Sequence, residues 1–217
     1  MLDNFASLMI LRNRLLTVKF ADTGPTTLVA TGNGFTRPAG DFVADGLVKG
    51  MEITPTGFTN NDVGVIKTIE PTAITLINAR LAQVSGAGRS LSVVIPELRE
   101  WENIKMDPNE ERWSVKEEFV FGNNQQDSLG PLGTMSHYPI YIVTVYGLPG
   151  IGAKALYKMV DTILDVFPPR LVLTLADGTV LRIRSEPAPF RGPTLYDDGD
   201  PFIIVTIPLW ARTTNTI

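Results

Sequence analysis

The stretch YPIYIVTVYGLPGIGAKALYKMVDTILDVFPPRLVLTLADGTVLRIR, Tyr138 to Arg184, carries the reading of the fold. Tyr138 to Tyr146 is a β-branched and aromatic run in which both alternating faces are mostly apolar. That predicts a strand covered on both sides, either central in its sheet or completed by another subunit. Gly147 to Gly152 breaks the run. From Ala153 the apolar Leu156, Val160, Ile163 and Phe167 recur at helical spacing, while Lys154, Lys158, Asp161 and Asp165 take the opposite side; this is an amphipathic helix lying on a sheet. Pro168 and Pro169 end it, because proline lacks the donor of the next turn and pushes the preceding residue out of the α region. Residues 171–175 and 179–184 then alternate around Asp177-Gly178, a hairpin turn tolerant of positive φ. The unit is β-α-β-β.

Ahead of it, Asp3 or Asn4 can cap a first helix whose Phe5, Leu8, Met9, Leu15 and Leu16 form a broad apolar face, with Arg12 and Arg14 among them. That helix is expected to dock on the main sheet. From Lys19 the pattern changes to short strands punctuated by turn residues, which predicts a small barrel or sandwich over Lys19 to Pro96. Gly57 to Asn61 reads as an exposed tip and Arg37-Pro38 as loop. Leu98 to Trp113 is charged and leads into a strand, half covered, where Val115, Phe119 and Phe121 alternate with polar residues. Gly122 to His137 and Ser185 to Pro201 show no periodicity and read as long functional or mobile connections. Phe202 to Trp210 is a last strand, apolar on both faces, before a polar tail.

The chain has 217 residues, a formal charge of −4 and no cysteine. That length holds a domain of ordinary size plus an extra module. The acidic balance argues against a surface built to grip phosphate, and the lack of cysteine excludes disulfides and thiolate metal sites. The apolar Leu8 to Leu16 stretch, broken by Arg12 and Arg14, is too short and too charged for a signal-peptide core or a membrane span, so a soluble, unprocessed protein is expected.

Few motifs point to chemistry. Gly150-x-Gly152-x-x-Ala155 fits the loose dinucleotide fingerprint, with Lys154 adding charge at a helix N-terminus. Against it, the next strand enters a tight hairpin, the first half of the chain has no second β-α-β unit, and Asp177 is used by the turn. A Walker loop would need Lys and then Ser or Thr after the final glycine, where Ala153, Lys154 and Ala155 stand. His137 is the single histidine and reads as solvated or capping. Asp197, Asp198 and Asp200 around Gly199 read as a solvated turn, lacking the spaced ligands of a calcium loop. Arg182 and Arg184 share one strand face, a pattern that suits an intersubunit surface with carboxylate partners. No catalytic residue, cofactor or metal site is expected.

With the β module set aside, the order of features resembles the tail terminator proteins of long-tailed bacteriophages. The features are a short first helix, Trp101-Glu102-Asn103, a charged loop, a half-polar strand, the strand ending at Gly147, the helix stopping at Phe167-Pro168-Pro169, a hairpin, Arg191-Gly192-Pro193 before Asp198-Gly199-Asp200, and an apolar last strand. The resemblance implies an α+β core over residues 1–18 and 97–217: a four-stranded mixed or antiparallel sheet with helices on one face. Residues 19–96 form the inserted all-β domain, barrel or sandwich, which departs from the family. The family further implies a hexameric, non-enzymatic ring in the virion, at the head-proximal end of the tail. Such a ring caps the tail tube, receives the head-completion (stopper) proteins, and lets DNA pass without sequence-specific binding. The alternatives are another tail or head-tail connector component with the same subunit fold, and a nucleotide-binding enzyme using the Gly147 to Gly152 turn. Subunit or partner contacts are expected at Asn123, Gln125, Gln126, Asp127, Arg182, Arg184, Arg191, Tyr196, Asp197 and Asp198. No membrane is involved in this reading.

Overall fold

A computed structural model describes residues 2–59, 63–77, 85–94, 113–128, 133–150, 153–197 and 199–214. Strands take 51% of them, and the described helices are α1 (Asn4–Leu15) and α2 (Ala153–Val166). No helix among the described residues is long and apolar enough to cross a membrane.

The first seven strands are β1 (Lys19–Asp22), β2 (Thr26–Thr31), β3 (Gly34–Thr36), β4 (Glu52–Thr56), β5 (Gly64–Glu70), β6 (Ala73–Ile77) and β7 (Ser85–Val94). All pair antiparallel, in the order β7-β2-β3-β6-β5-β4 and back to β7, so six of them close a barrel. β7 closes it by dividing its length: Gly86 and Arg89 pair with β2, Ser90 to Ser92 pair with β4, and Ser92 to Val94 pair with β1. Closure satisfies ladder groups that an open sheet would leave at its edges. The alternation is clear inside, where Leu28, Phe35, Ile53, Ile66, Ile74 and Leu91 are buried. The wall is tight at Gly34, where a Cβ would stand 1.9 Å from the Ile74 carbonyl oxygen.

The second sheet contains β8 (Ser114–Val120), β9 (Asn124–Gln126), β10 (Thr134–His137), β11 (Ile140–Tyr146), β12 (Val172–Thr174), β13 (Val180–Ile183), β14 (Phe190–Asp197) and β15 (Asp200–Thr214). Its spine is β15, 15 residues long. β11 and then β10 pair along one side of it, and β14 and then β13 along the other; β8 lies outside β11, β9 outside β10, and β12 outside β13.

This overturns the expected α+β core of one four-stranded sheet carrying helices. The chain is mostly β, with an eight-stranded antiparallel sheet beside the closed barrel. The additional strands lie where the sequence lacks alternation. Asn124–Gln126 is polar and exposed throughout, so only its backbone pairing makes it a strand. β14 contains Gly192-Pro193, and its register shifts there, between Arg191 and Thr194. The polar tail after Trp210 continues the last strand, pairing with β10.

The helices cover the inner face of this sheet. α2 buries Leu156, Val160 and Ile163, and Phe167 just beyond it. α1 is capped by Asp3, whose Oδ1 accepts from the Ala6 amide at 2.9 Å. Its buried stripe is Ser7, Leu11 and Leu15, whereas Phe5 and Leu16 of the expected apolar face are 63% and 46% exposed. Two arginines set that rotation. Arg12 is ion-paired with Glu117 of β8, and the Arg14 guanidinium donates to the Val166 carbonyl at the C-terminal end of α2. A cation there also meets the negative end of the helix dipole.

Barrel and sheet share one hydrophobic core. At the seam Trp113, 3% exposed, donates its backbone N–H to the Gly50 carbonyl at 3.2 Å and its indole N–H to the Lys49 carbonyl at 3.0 Å. A Cβ at Gly147 would come within 3.3 Å of the same ring, so its lack of a side chain leaves room for the indole.

Candidate functional site

Residues paired across an antiparallel ladder present their side chains on the same face. In β11 the inner set, Tyr141, Val143 and Val145, pairs with Ile207, Val205 and Ile203, and all six are fully buried under the helices. The outer set differs. Ile140, Ile142 and Tyr146, with Ile204 and Phe202 on β15, are only partly buried, and Thr144, 8% exposed, and Thr206 stand among them, although the run reads as apolar on both faces. β14 extends this belt through Phe190, paired with Thr206, and Leu195, paired with Phe202; these two are 48% and 40% exposed. The Tyr146 and Phe202 rings stack in a tilted arrangement, 5.5 Å between centroids.

The two ends of this outer face carry opposite charge. At the β14–β15 turn Asp197 lies opposite Asp200 in register, both exposed and without a cationic partner among the described residues. Like charges directly opposite one another are unfavourable. At the far end Arg182 of β13 lies opposite Trp210, with its guanidinium 5.9 Å from the indole centroid. Arg184 stacks over Tyr138 at 5.6 Å. Arg170, held at φ +68, joins them in an open cleft of about 520 Å³ that Ile183, Ser185, Glu186 and Trp210 also line. None of the three arginines is ion-paired among the described residues.

The other expected contact residues are dispersed. Gln125 and Gln126 lie on the exposed edge strand β9, and the Asn123 carbonyl accepts from the Tyr138 amide at 3.3 Å. Asp127 accepts from the Ser136 hydroxyl at 2.6 Å and sits 3.5 Å from Arg212. Arg191 turns to the helix side, pairing with Asp161 at 2.7 Å and stacking on Tyr157, so it is separate from the arginine cleft. Tyr196 is 70% exposed beside the acidic turn. Asp198, Gly152 and Trp101-Glu102-Asn103 lie outside the described residues. Sequence reading missed Arg170, Trp210 and Asp200 as contributors. Arg170 had a local signal, a lone cation directly after the helix-ending Pro168-Pro169.

Two polar networks are structural. Tyr141 donates to Glu117 Oε2 at 2.7 Å while Arg12 holds Oε1. Burial, and then the Glu117 carboxylate, push the phenol well above its ordinary pKa, so it stays a neutral donor. His137, expected to be solvated or capping, is instead 5% exposed. Its Nδ1–H donates to Asn124 Oδ1 at 2.7 Å, and its Nε2 accepts from the Thr213 hydroxyl at 2.8 Å. Burial lowers its pKa, because the charged ring would lose hydration. Among the described residues no cluster of three His, Asp or Glu is placed to hold a metal ion.

No protein-family model matches the chain, and no curated protein matches it. A solved structure of a protein without a functional name aligns at 17% identity and a TM-score of 0.40, over 52% of this chain and 77% of its own.

Proposed function

We propose that the chain is a structural virion subunit that closes into a ring of the tail-terminator kind. In this reading the ring caps the tail tube at its head-proximal end, receives the head-completion proteins and lets DNA through its lumen; six copies are expected from the resemblance. The observation that carries the proposal is the belt formed by Ile140, Ile142, Phe190, Leu195, Phe202 and Ile204. Both described helices pack on the opposite side of the sheet, so neither covers it. An apolar face left partly open to solvent marks an interaction surface. A head-to-tail contact that closes on itself buries such a face in every copy and ends growth without a free patch.

Negative-stain electron microscopy with sedimentation velocity tests this, on the protein alone and after mixing with tail tubes lacking a terminator. A ring-shaped species, or density capping tube ends, is the expected result. A chain that stays monomeric at high concentration and leaves tube ends bare would refute the proposal.

A further inference from the structure

We infer that the arginine cleft of one copy receives the acidic β14–β15 turn of the next, Arg170, Arg182 and Arg184 engaging Asp197 and Asp200. The inference rests on the ring reading and specifies its contact.

Four observations converge. Three guanidinium groups line one open cleft against the single carboxylate of Glu186, and none of the three is ion-paired among the described residues, so the cleft keeps an excess of positive charge. Two carboxylates face each other in register at an exposed turn, without a cation. Arg182 and the two carboxylates belong to the same sheet face, since Arg182 is paired with Trp210 and Asp197 with Asp200, and Asp200, Phe202, Ile204 and Trp210 alternate with buried Ile203, Val205 and Leu209 along β15. Finally, Asp200 and Trp210 lie on one strand with a separation of about 33 Å along it at a rise of roughly 3.3 Å per residue. That spacing keeps the two charged ends apart within a subunit, leaving their complementarity to be satisfied between copies. A contact joining two different patches is heterologous, the type that propagates head to tail and can close as a ring.

Carboxylates suit the cleft chemically, because guanidinium forks bind them with two parallel hydrogen bonds, and Trp210 and Tyr138 hold Arg182 and Arg184 by their ring faces. A nucleic-acid phosphate would satisfy the same donors, but the net charge of −4 opposes a polyanion and favours a local acidic turn.

A charge swap tests the contact. Variant one carries Arg182→Glu and Arg184→Glu; variant two carries Asp197→Lys and Asp200→Lys. Sedimentation velocity of each alone is expected to show loss of the assembled species, with circular dichroism matching the parent. Mixed in equal amounts they should assemble again, because Glu clefts meet Lys turns and Arg clefts meet Asp turns in alternation. The cysteine-free sequence allows a second readout: Arg184→Cys and Asp200→Cys in one chain should form an intermolecular disulfide when oxidised glutathione is added as the two-electron oxidant. If the parent assembles but mixing restores nothing and no cross-link forms, the contact is wrong while the ring stands. If the parent neither assembles nor caps tube ends, both readings fall. Saturable binding of an oligonucleotide that Arg182→Glu and Arg184→Glu abolish, with assembly intact, would reassign the cleft to phosphate.

Discussion

Arg12 of α1 and Glu117 of β8 are ion-paired beneath the sheet, side chains 14% and 3% exposed, and the Tyr141 hydroxyl completes the same carboxylate. This pair fixes the rotation of the first helix. Removing one partner leaves a buried charge uncompensated, which costs about 3–5 kcal/mol. Arg12→Ala should therefore destabilise the protein by that order in urea unfolding, whereas Arg12→Met with Glu117→Met should cost less, the remainder being the Tyr141 hydroxyl left without its acceptor, about 1–3 kcal/mol. Equal, small effects of the single and double variants would show that the pair is solvated.

The His137 network predicts the acid side of the stability profile. Its folded pKa lies below the unfolded value, so the unfolded chain binds the proton first as pH falls. Stability from this site is fully present above about pH 6.5, the ordinary histidine value, and declines as pH drops through the lowered folded pKa. His137→Gln should flatten the profile in that window, read as the urea midpoint against pH. A parent profile already flat between neutrality and pH 5 would contradict the buried neutral ring.

Trp113 is the test of how firmly the barrel is seated. Trp113→Phe keeps most of the ring but loses the bond to the Lys49 carbonyl, about 0.5–1.5 kcal/mol. Trp113→Ala also opens a cavity at the seam, about 3–5 kcal/mol. The alanine variant should become more susceptible to proteolysis at the seam, while the phenylalanine variant should not. If both behave as the parent does, the indole is not what joins the two parts.

What could be read in advance depended on whether the side chains carried a pattern of their own. α2 was legible because Leu156, Val160, Ile163 and Phe167 repeat at helical spacing, and all four are at most 1% exposed. The hairpin was legible from Asp177-Gly178, where Gly178 sits at φ +84 and Asp177 accepts from the Thr179 amide at 2.8 Å. β9 and β14 were not legible although each pairs with the next strand in the chain, because β9 is polar and exposed throughout and β14 is interrupted at Gly192-Pro193, where its register shifts. His137 was misread for a different reason: one of its partners, Thr213, lies 76 residues away. The arginine pair was visible from the i, i+2 spacing of Arg182 and Arg184, but Trp210 joins them only through the register of β13 on β15. The expected four-stranded core failed at the strands without a pattern: β9 and β14 pair with their neighbours in the chain but carry no alternation, and β10 pairs with the polar end of β15, 74 to 80 residues away.

The belt itself predicts an effect separable from folding. Phe190 and Leu195 are 48% and 40% exposed, so replacing them removes little buried area from the subunit, and the inner residues beneath them are untouched. Phe190→Glu with Leu195→Lys keeps the net charge unchanged and places charged groups in a contact that would otherwise be desolvated. Surface substitutions away from special features usually change stability by no more than about 0.5 kcal/mol, so the urea midpoint should hardly move. Association should weaken at least about tenfold, which corresponds to roughly 1.4 kcal/mol, measured by sedimentation velocity against concentration. If instead the double variant unfolds early while association per folded molecule is unchanged, the belt is packed within the subunit and is not an intersubunit face. Unchanged stability with unchanged assembly would place the contact on another surface, and the ring would then have to form without burying this side of the sheet.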